Sequence, residues 1–332
     1  MNNVTQSPSL IEYPELEIST LHQSARDAGD AGVEARRLFI QTNYLPSLHN
    51  RVFGLDQALR NAEFKLREVT SSTNTKLLIG TKTLEGFQAE LESAPDSDRK
   101  EILEDISQQA EKIVTIVNQG HSALKLLLTP MQEPIDRIAT RQYLAQLATE
   151  QERLPTEILG MKERMATLEQ QRQTLTEAMA LIESKSFAQV GKDTMLNAQE
   201  IAKLGMAGPE VAVVEKAIEL TQQLFEKLET LVNYFGLMDA RNKVRKKMDD
   251  LLGHTHAKTG ELRTSGMKSE FIIACHTFDD HRIRYVAEFE KIMLTQQSFI
   301  TVYRSADMTD ESNVPELISG ALALVSYLKV VA

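Results

Sequence analysis

Between residues 144 and 182 the apolar positions recur at alternating steps of three and four, which predicts one long coiled-coil helix. Because an average step of about 3.5 residues keeps one stripe of a helix facing a partner over many turns, the pattern indicates a rod rather than a globule. Pro155 lies inside the stripe and removes a backbone donor, so we expect a kink or a helix restart near Arg153. The stripe consists of Leu144, Leu147, Gln151, Leu154, Ile158, Met161, Met165, Leu168, Arg172, Leu175, Met179 and Ile182.

The first third of the chain carries a similar pattern, divided by proline and turn residues. We expect an extended leader over residues 1–18, with Ser19 or Thr20 capping the first helix. The pattern restarts at Pro46 and is interrupted again by the turn-forming residues 93–98. These signals predict helices over residues 19–40, 46–92 and 99–128.

The middle of the chain breaks this regularity. The spacing stops after Ile182 and returns over residues 211–235, which we expect to form one helix. Small and apolar residues fill the interval, and Gly205–Pro209 combines two glycines with a proline. We therefore expect the chain to reverse there, with an apolar tip joining two long helices.

The last third begins with a basic segment and ends with an apolar one. Five of the seven residues 241–247 are basic, and the glycines at 253 and 260 are expected to break the helix. Between Phe271 and Tyr303 two apolar stripes then predict a last long helix with several neighbours. After a polar linker, the apolar run from Leu317 to Ala332 is expected to close a bundle rather than to anchor the chain in a membrane, because it is short for a bilayer span.

Together these patterns predict an all-α fold. The expected architecture is an elongated, rod-like helical bundle with long coiled-coil helices and a small apolar head at a mid-chain helical hairpin. The predicted organisation is an extended leader (1–18), tail and neck helices (19–182), a head hairpin (183–212), neck and tail helices (213–304), and a linker with an apolar C-terminal helix (305–332).

Composition narrows the class of protein. The chain has 332 residues, of which 42% are hydrophobic and 25% charged, and these values are typical of a folded soluble protein. A net charge of −10 makes nucleic acid an unfavourable partner. The single cysteine, Cys275, excludes a disulfide within the chain, and the first residues show no signal-peptide pattern. We expect a protein that is made soluble and is exported, if at all, without a cleaved signal peptide.

Candidate chemistry is sparse, and we expect neither an enzyme nor a metal or cofactor site. His254 and His256 lack further ligands at metal-site spacing, and a solvated loop is the simpler interpretation. Cys275 and His276 are adjacent, so on a helix their side chains point about 100° apart, and Cys275 belongs to the apolar stripe. The consecutive residues 279–281 cannot converge on one helix either.

The apolar tip has two interpretations. It is either a small helical cap with its own core, or a head whose core opens on lipid so that amphipathic segments insert. The insertion candidates are Phe187, Val190, Met195, Leu196, Ile201, Leu204, Met206, Val211, Val213 and Val214. The hinge and turn candidates are Gly191, Gly205, Gly208 and Pro209.

The basic segment is a candidate lipid or protein contact. If Gly205–Pro209 is the tip, Arg241 lies roughly 48 Å away by helical rise, so tip and basic segment cannot touch one membrane together. Contact with acidic helices or with a partner subunit is then the better use. The partner-contact candidates are Arg241, Lys243, Arg245, Lys246 and Lys247.

The extended leader Ile11–Glu15, the long helices, the lack of a signal peptide and the hairpin Gly205–Pro209 together resemble the α-helical pore-forming toxins. They are most similar to the B component of the XaxAB and YaxAB type of binary cytotoxins. The resemblance implies a secreted soluble protein that assembles with a second, A component into a hetero-oligomeric ring on target-cell membrane lipid. It also implies that residues 187–209 are head, and that rearrangement of the head gives a cytolytic pore.

The rival interpretation is a cytoplasmic coiled-coil scaffold or adaptor without membrane activity, which would share every helical feature. Charged residues at 192, 193, 200 and 203 make the tip only weakly apolar, which suits a component that needs its partner.

Overall fold

The computed structural model describes residues 11–185, 192, 194–225 and 232–332. Within these residues the fold is all-α, with eight α-helices, one 3₁₀ turn and no strand, which confirms the predicted class. The α-helices are α1 (Ile18–Thr42), α2 (Pro46–Ser93), α3 (Arg99–Leu128), α4 (Arg137–Ser184), α5 (Ala198–Lys203), α6 (Gly208–Leu224), α7 (Tyr234–Tyr303) and α8 (Asn313–Lys329). The 3₁₀ turn is Thr129–Gln132.

Proline and turn residues set the early helix ends as the sequence indicates. Asn43 and Leu45 adopt left-handed φ values of 47° and 49°, and Pro46 is the first residue of α2. The predicted cap of α1 was wrong by two residues, because the cap position is Glu17 rather than Ser19 or Thr20. Thr20 instead donates its hydroxyl to the Glu17 carboxylate at 2.7 Å.

Two predicted helix breaks do not occur. α4 continues through Pro155 without restarting, and α7 continues through Gly253 and Gly260. Pro155 is exposed between the buried residues Leu154 and Ile158, so water can bond the carbonyl that loses its helical partner. Each glycine costs a helix only about 1 kcal/mol relative to alanine, and this cost does not interrupt α7.

One predicted helix is shorter than expected. The spacing over residues 211–235 predicted a single helix, but α6 ends at Leu224, and Val232 and Asn233 are not helical. The backbone N–H of Leu196 donates to the carbonyl of Val232 at 2.8 Å. That carbonyl therefore accepts a hydrogen bond from a segment distant in sequence rather than from the next helical turn. The predicted single helix is therefore two helices, α6 and α7.

The described chain forms two compact units. The first combines residues Met1–Tyr143 with Met267–Ala332, and its core includes the stripe of α7 that the sequence predicts. The α8 helix packs on α2 in this unit and buries one apolar face, as expected for a closing helix. The buried stripe positions on α7 are Phe271, Cys275, Phe278, Arg282, Tyr285, Phe289, Ile292, Gln296, Phe299 and Tyr303.

The extended leader contributes to the first unit. The Tyr13 ring lies 5.6 Å from that of Tyr327 in an edge-on arrangement, and its hydroxyl donates to the carbonyl of Gly320 at 3.5 Å. The backbone N–H of Glu17 donates to the Glu288 carboxylate on α7 at 3.0 Å. The described part of the leader is thus packed against helices from the far end of the sequence.

The second unit, Leu144–Gly266, is built on an antiparallel pair of α4 and α7. Gln151 donates its side-chain amide to the carbonyl of Ser265 at 3.2 Å, and the Thr255 hydroxyl contacts the sulfur of Met161 at 3.7 Å. From the first contact to the second, the chain advances ten residues along α4 and goes back ten residues along α7, so the two helices run antiparallel. The pairing persists to the hydrogen bond between Tyr234 and Glu183, so at a rise of about 1.5 Å per residue it covers on the order of 50 Å.

Candidate functional site

The histidine pair lies on a helix, not in the predicted loop. His254 and His256 are exposed on the unbroken α7 helix. Among the described residues, no group of three histidine, cysteine or acidic side chains is placed to hold a metal ion.

Cys275 and His276 serve packing and polar contacts in the first unit. Burial raises the pKa of the Cys275 thiol to about 12, so the reactive thiolate is disfavoured. The His276 ring nitrogen Nε2 lies 2.7 Å from the hydroxyl of Thr140 at the start of α4. Burial, followed by the charge of Arg137, lowers the pKa of His276.

The acidic residues beside them hold an arginine cluster. Arg137 on α4 contacts Asp279 at 2.8 Å and Asp280 at 2.6 Å, and Asp279 also pairs with the buried Arg282 at 2.5 Å. Arg282 donates to the carbonyl of Met131 as well. These contacts join α4 and the 3₁₀ turn to α7, and the interpretation of residues 279–281 as non-catalytic stays a prediction.

Two described residues of the predicted tip, Leu196 and Ile201, belong to a larger apolar cluster in the second unit, which we call the head core. Its residues come from α4, the segment before α5, α5, α6, the segment before α7 and the start of α7. The head core comprises Leu175, Ala178, Met179, Ile182, Leu196, Ile201, Val214, Ala217, Val232, Tyr234, Leu237, Ala240 and Val244.

Short-range hydrogen bonds fix the segments that cross the head core. The Asn197 side chain caps α5 by accepting the backbone N–H groups of Gln199 and Glu200, each at 3.0 Å. This cap lies between Leu196 and Ile201, which are 6% and 2% exposed. The cap therefore fixes the start of α5 between two buried residues, Leu196 and Ile201.

A turn lies between α5 and α6, where the sequence predicted a reversal between two long helices, but α5 has only six residues. Gly205 has a φ of +61°, a conformation that favours glycine, and α6 begins at Gly208 with Pro209 in its first turn. Glu210 accepts the backbone N–H of Ala207 at 2.8 Å and pairs with Lys185 at 3.2 Å. These contacts, led by the Ala207 bond, lower the pKa of Glu210.

Polar contacts also join the helices that surround the head core. The Tyr234 hydroxyl donates to the Glu183 carboxylate, and this bond raises the pKa of Tyr234. The Lys243 ammonium donates to the carbonyl of Leu224 at 2.6 Å and lies 4.8 Å from the centre of the Phe225 ring. The end of α6 is thus fastened to α7.

The insertion candidates differ in their exposure. Leu196, Ile201 and Val214 are buried in the head core, whereas Met195 is 41% exposed. The half-buried candidates are Leu204, Met206, Val211 and Val213. Phe187, Val190 and the hinge candidate Gly191 lie outside the described residues.

The head core also includes residues that were not candidates. The sequence places Leu175, Met179 and Ile182 on the coiled-coil stripe and Val244 in the basic segment, whereas Leu237 belongs to no predicted set. Their three- and four-residue spacing indicates a buried face, but it does not indicate which segments that face contacts.

The basic segment lies beside the head core. The predicted separation of roughly 48 Å was wrong, because it required one continuous helix from the turn at Gly208 to Arg241. Ala240 and Val244 belong to the same cluster as Ile201, and Lys243 contacts the end of α6.

No helix in the described part of the chain has both the length and the apolar character needed to cross a bilayer.

No protein-family model and no curated protein sequence matches this chain. Solved structures do. XaxB from Xenorhabdus nematophila matches with a TM-score of 0.79 at 19% identity, covering 95% of this chain and 97% of that one. PaxB from Photorhabdus luminescens matches with a TM-score of 0.75 at 14% identity, covering 97% and 98%. A chain of the XaxAB pore complex from Xenorhabdus nematophila matches with a TM-score of 0.61 at 18% identity, covering 96% and 97%. The resemblance to the B components of XaxAB-type proteins is therefore confirmed at the level of the fold, over nearly the whole chain.

Proposed function

We propose that this chain is the soluble component of a binary α-pore-forming toxin. It assembles with a second component on target membranes, and rearrangement of its head gives a cytolytic pore. The observation that carries this proposal is the match of 95% of the chain to XaxB, together with the match to a chain of the XaxAB pore complex. The proposed activity needs no catalytic step and no cofactor.

The head is the part proposed to rearrange. The described residues of the head hairpin, residues 183–212, contribute short elements to the head core. The Glu183 contact ties the hairpin to Tyr234 at the start of α7, and the Lys185–Glu210 ion pair joins its two ends. Opening these contacts would expose apolar side chains that water disfavours and lipid accepts. Gly205, with its left-handed φ, is the proposed turn of the moving segment.

Shelter of the apolar residues accounts for how one chain is both soluble and membrane-active. Leu196, Ile201 and Val214 are at most 6% exposed in the described state. A ring of helices can present polar faces to its water-filled lumen, so no single helix has to be apolar over its whole surface. We propose that the protein leaves the producing cell and acts at the target-cell membrane in a hetero-oligomer.

The scaffold interpretation has no comparable support. A coiled-coil adaptor explains the α4 and α7 pair, but it does not explain a match over both units to a chain of a pore complex.

The test is leakage of a dye from vesicles and of haemoglobin from erythrocytes. The purified chain is mixed with the protein encoded next to it and, in parallel, with the A component of XaxAB, and each protein is also tested alone. We expect leakage from a mixture at concentrations where the single proteins release little. An absence of leakage with both partners, on both kinds of membrane, would contradict the proposal.

A further inference from the structure

A group of three basic side chains follows the head core on α7. Arg245, Lys246 and Lys247 are exposed and form no ion pair within 4 Å with any described residue. The other basic residues of the segment differ, because Arg241 is half-buried and Lys243 is bonded to Leu224. The segment therefore divides into residues that hold the head and three that face water.

The position of these three residues relative to the apolar side chains is specific. Val244 is fully buried and is the last residue that α7 contributes to the head core, which begins on this helix at Tyr234. Ten residues separate the two, or about 15 Å of helix, close to half the thickness of a bilayer's hydrocarbon core. If the head meets hydrocarbon, the next turn of α7 lies at the depth of the lipid headgroups.

We propose that Arg245, Lys246 and Lys247 bind the headgroups of anionic phospholipids. This inference rests on the proposed function and names the class of lipid that the head prefers. Clusters of lysine and arginine beside a membrane-inserting segment attract anionic lipid, and their long stems let the charges reach the surface. Asp249 and Asp250 come next along the helix, so the excess positive charge is confined to this turn.

The net charge of the chain opposes binding to an anionic surface, and a local basic group offsets this repulsion. At −10 the protein as a whole is repelled by anionic membranes, and repulsion over more than a Debye length of about 8 Å is screened at physiological salt. Short-range attraction from three cations that form no ion pair with the described part of the chain can then decide the orientation in which the protein meets the bilayer.

The test measures flotation of the purified chain with vesicles of phosphatidylcholine alone and of phosphatidylcholine with phosphatidylserine. We compare the wild type, the triple variant Arg245→Gln, Lys246→Gln, Lys247→Gln, and a control in the first unit. The control, Lys76→Gln, Lys82→Gln, Lys112→Gln, removes the same charge from exposed positions. We expect the wild type and the control to prefer anionic vesicles, and the triple variant to partition less by on the order of 100-fold at low salt.

Three results would overturn the inference. The first is that the wild type binds neutral and anionic vesicles equally. The second is that the triple variant and the control bind anionic vesicles equally. The third is that the triple variant no longer binds the second component in the absence of lipid. The last would assign the three residues to a protein contact instead. Leakage that proceeds equally on neutral and anionic vesicles contradicts this inference alone, whereas an absence of leakage with every partner contradicts the proposed function.

Discussion

At the scale of single residues, close contacts between helices leave little room at a few glycines. A Cβ atom added at Gly120 on α3 would lie 2.4 Å from the hydroxyl oxygen of Thr73 on α2, whereas one added at Gly86 on α2 would meet nothing within 4 Å. The two positions therefore form a matched pair for the same substitution.

We predict that Gly120→Ala lowers the free energy of unfolding by about 1–3 kcal/mol, since the side chain of Thr73 or a helix backbone has to shift. Gly86→Ala should raise it by roughly 0.5–1 kcal/mol, because alanine loses less backbone freedom in a helix. Urea titrations of the two variants and the wild type measure the difference. A Gly120→Ala protein at least as stable as the Gly86→Ala protein would contradict the tight α2–α3 contact.

The burial of individual residues was predictable where it depends on local periodicity. All ten positions of the main α7 stripe are buried, including the polar Arg282 and Gln296. The contacts that make Arg282 tolerable in the interior were not predictable as a set, because Asp279 is close in sequence but the Met131 carbonyl is distant. Such pairings depend on the tertiary fold.

At the scale of elements, helix ends were predictable when the chain marks them with proline or turn residues. Pro46 begins α2, and the turn after Ser93 separates α2 from α3. The end of α6 carries no such mark, because the apolar spacing continues to Phe235 while the helix stops at Leu224. The contacts near this end come from distant residues: Lys243 donates to the carbonyl of Leu224, and Leu196 pairs with Val232.

We predict that the Lys243 contact stabilises the last turn of α6. Lys243→Gln removes a charged donor from the Leu224 carbonyl and a cation from the Phe225 ring, each worth about 1 kcal/mol. Amide hydrogen exchange in peptides that cover residues 214–224 should therefore become roughly tenfold faster.

The control for this prediction is Lys246→Gln, which removes the same charge from an exposed position on the same helix. Its α6 peptides should exchange like those of the wild type. Equal acceleration in both variants would mean that charge on α7, rather than the contact at Leu224, sets the stability of α6.

At the scale of the whole molecule, the chain divides into a unit built from both ends of the sequence and a unit inserted between Tyr143 and Met267. The inserted unit contains the head core, and α4 and α7 each contribute residues to both units. This organisation rests on two long helices, and the sequence indicated the apolar stripes of both but not that α7 continues through Gly253 and Gly260. The identity of the segments in the head core does not, because short apolar pieces such as α5 have no periodicity long enough to read.

The last prediction tests whether exposed apolar side chains of the head, rather than exposed apolar side chains elsewhere in the protein, are needed for leakage. Met195 is 41% exposed and Leu204 is half-buried outside the head core, so aspartate at both positions leaves the buried cluster intact. If these residues meet hydrocarbon, each carboxylate opposes insertion by a few kcal/mol, and leakage in the presence of the second component should fall more than tenfold. The matched control places aspartate at Leu126 and Ile138 in the first unit, which are 78% and 75% exposed. This control should cause as much leakage as the wild type. Far-UV circular dichroism checks that both double variants keep their helices, and Met195→Asp alone provides a variant in which only an exposed side chain changes. Leakage by the head variants equal to that of the control would mean that another surface of the protein enters the membrane.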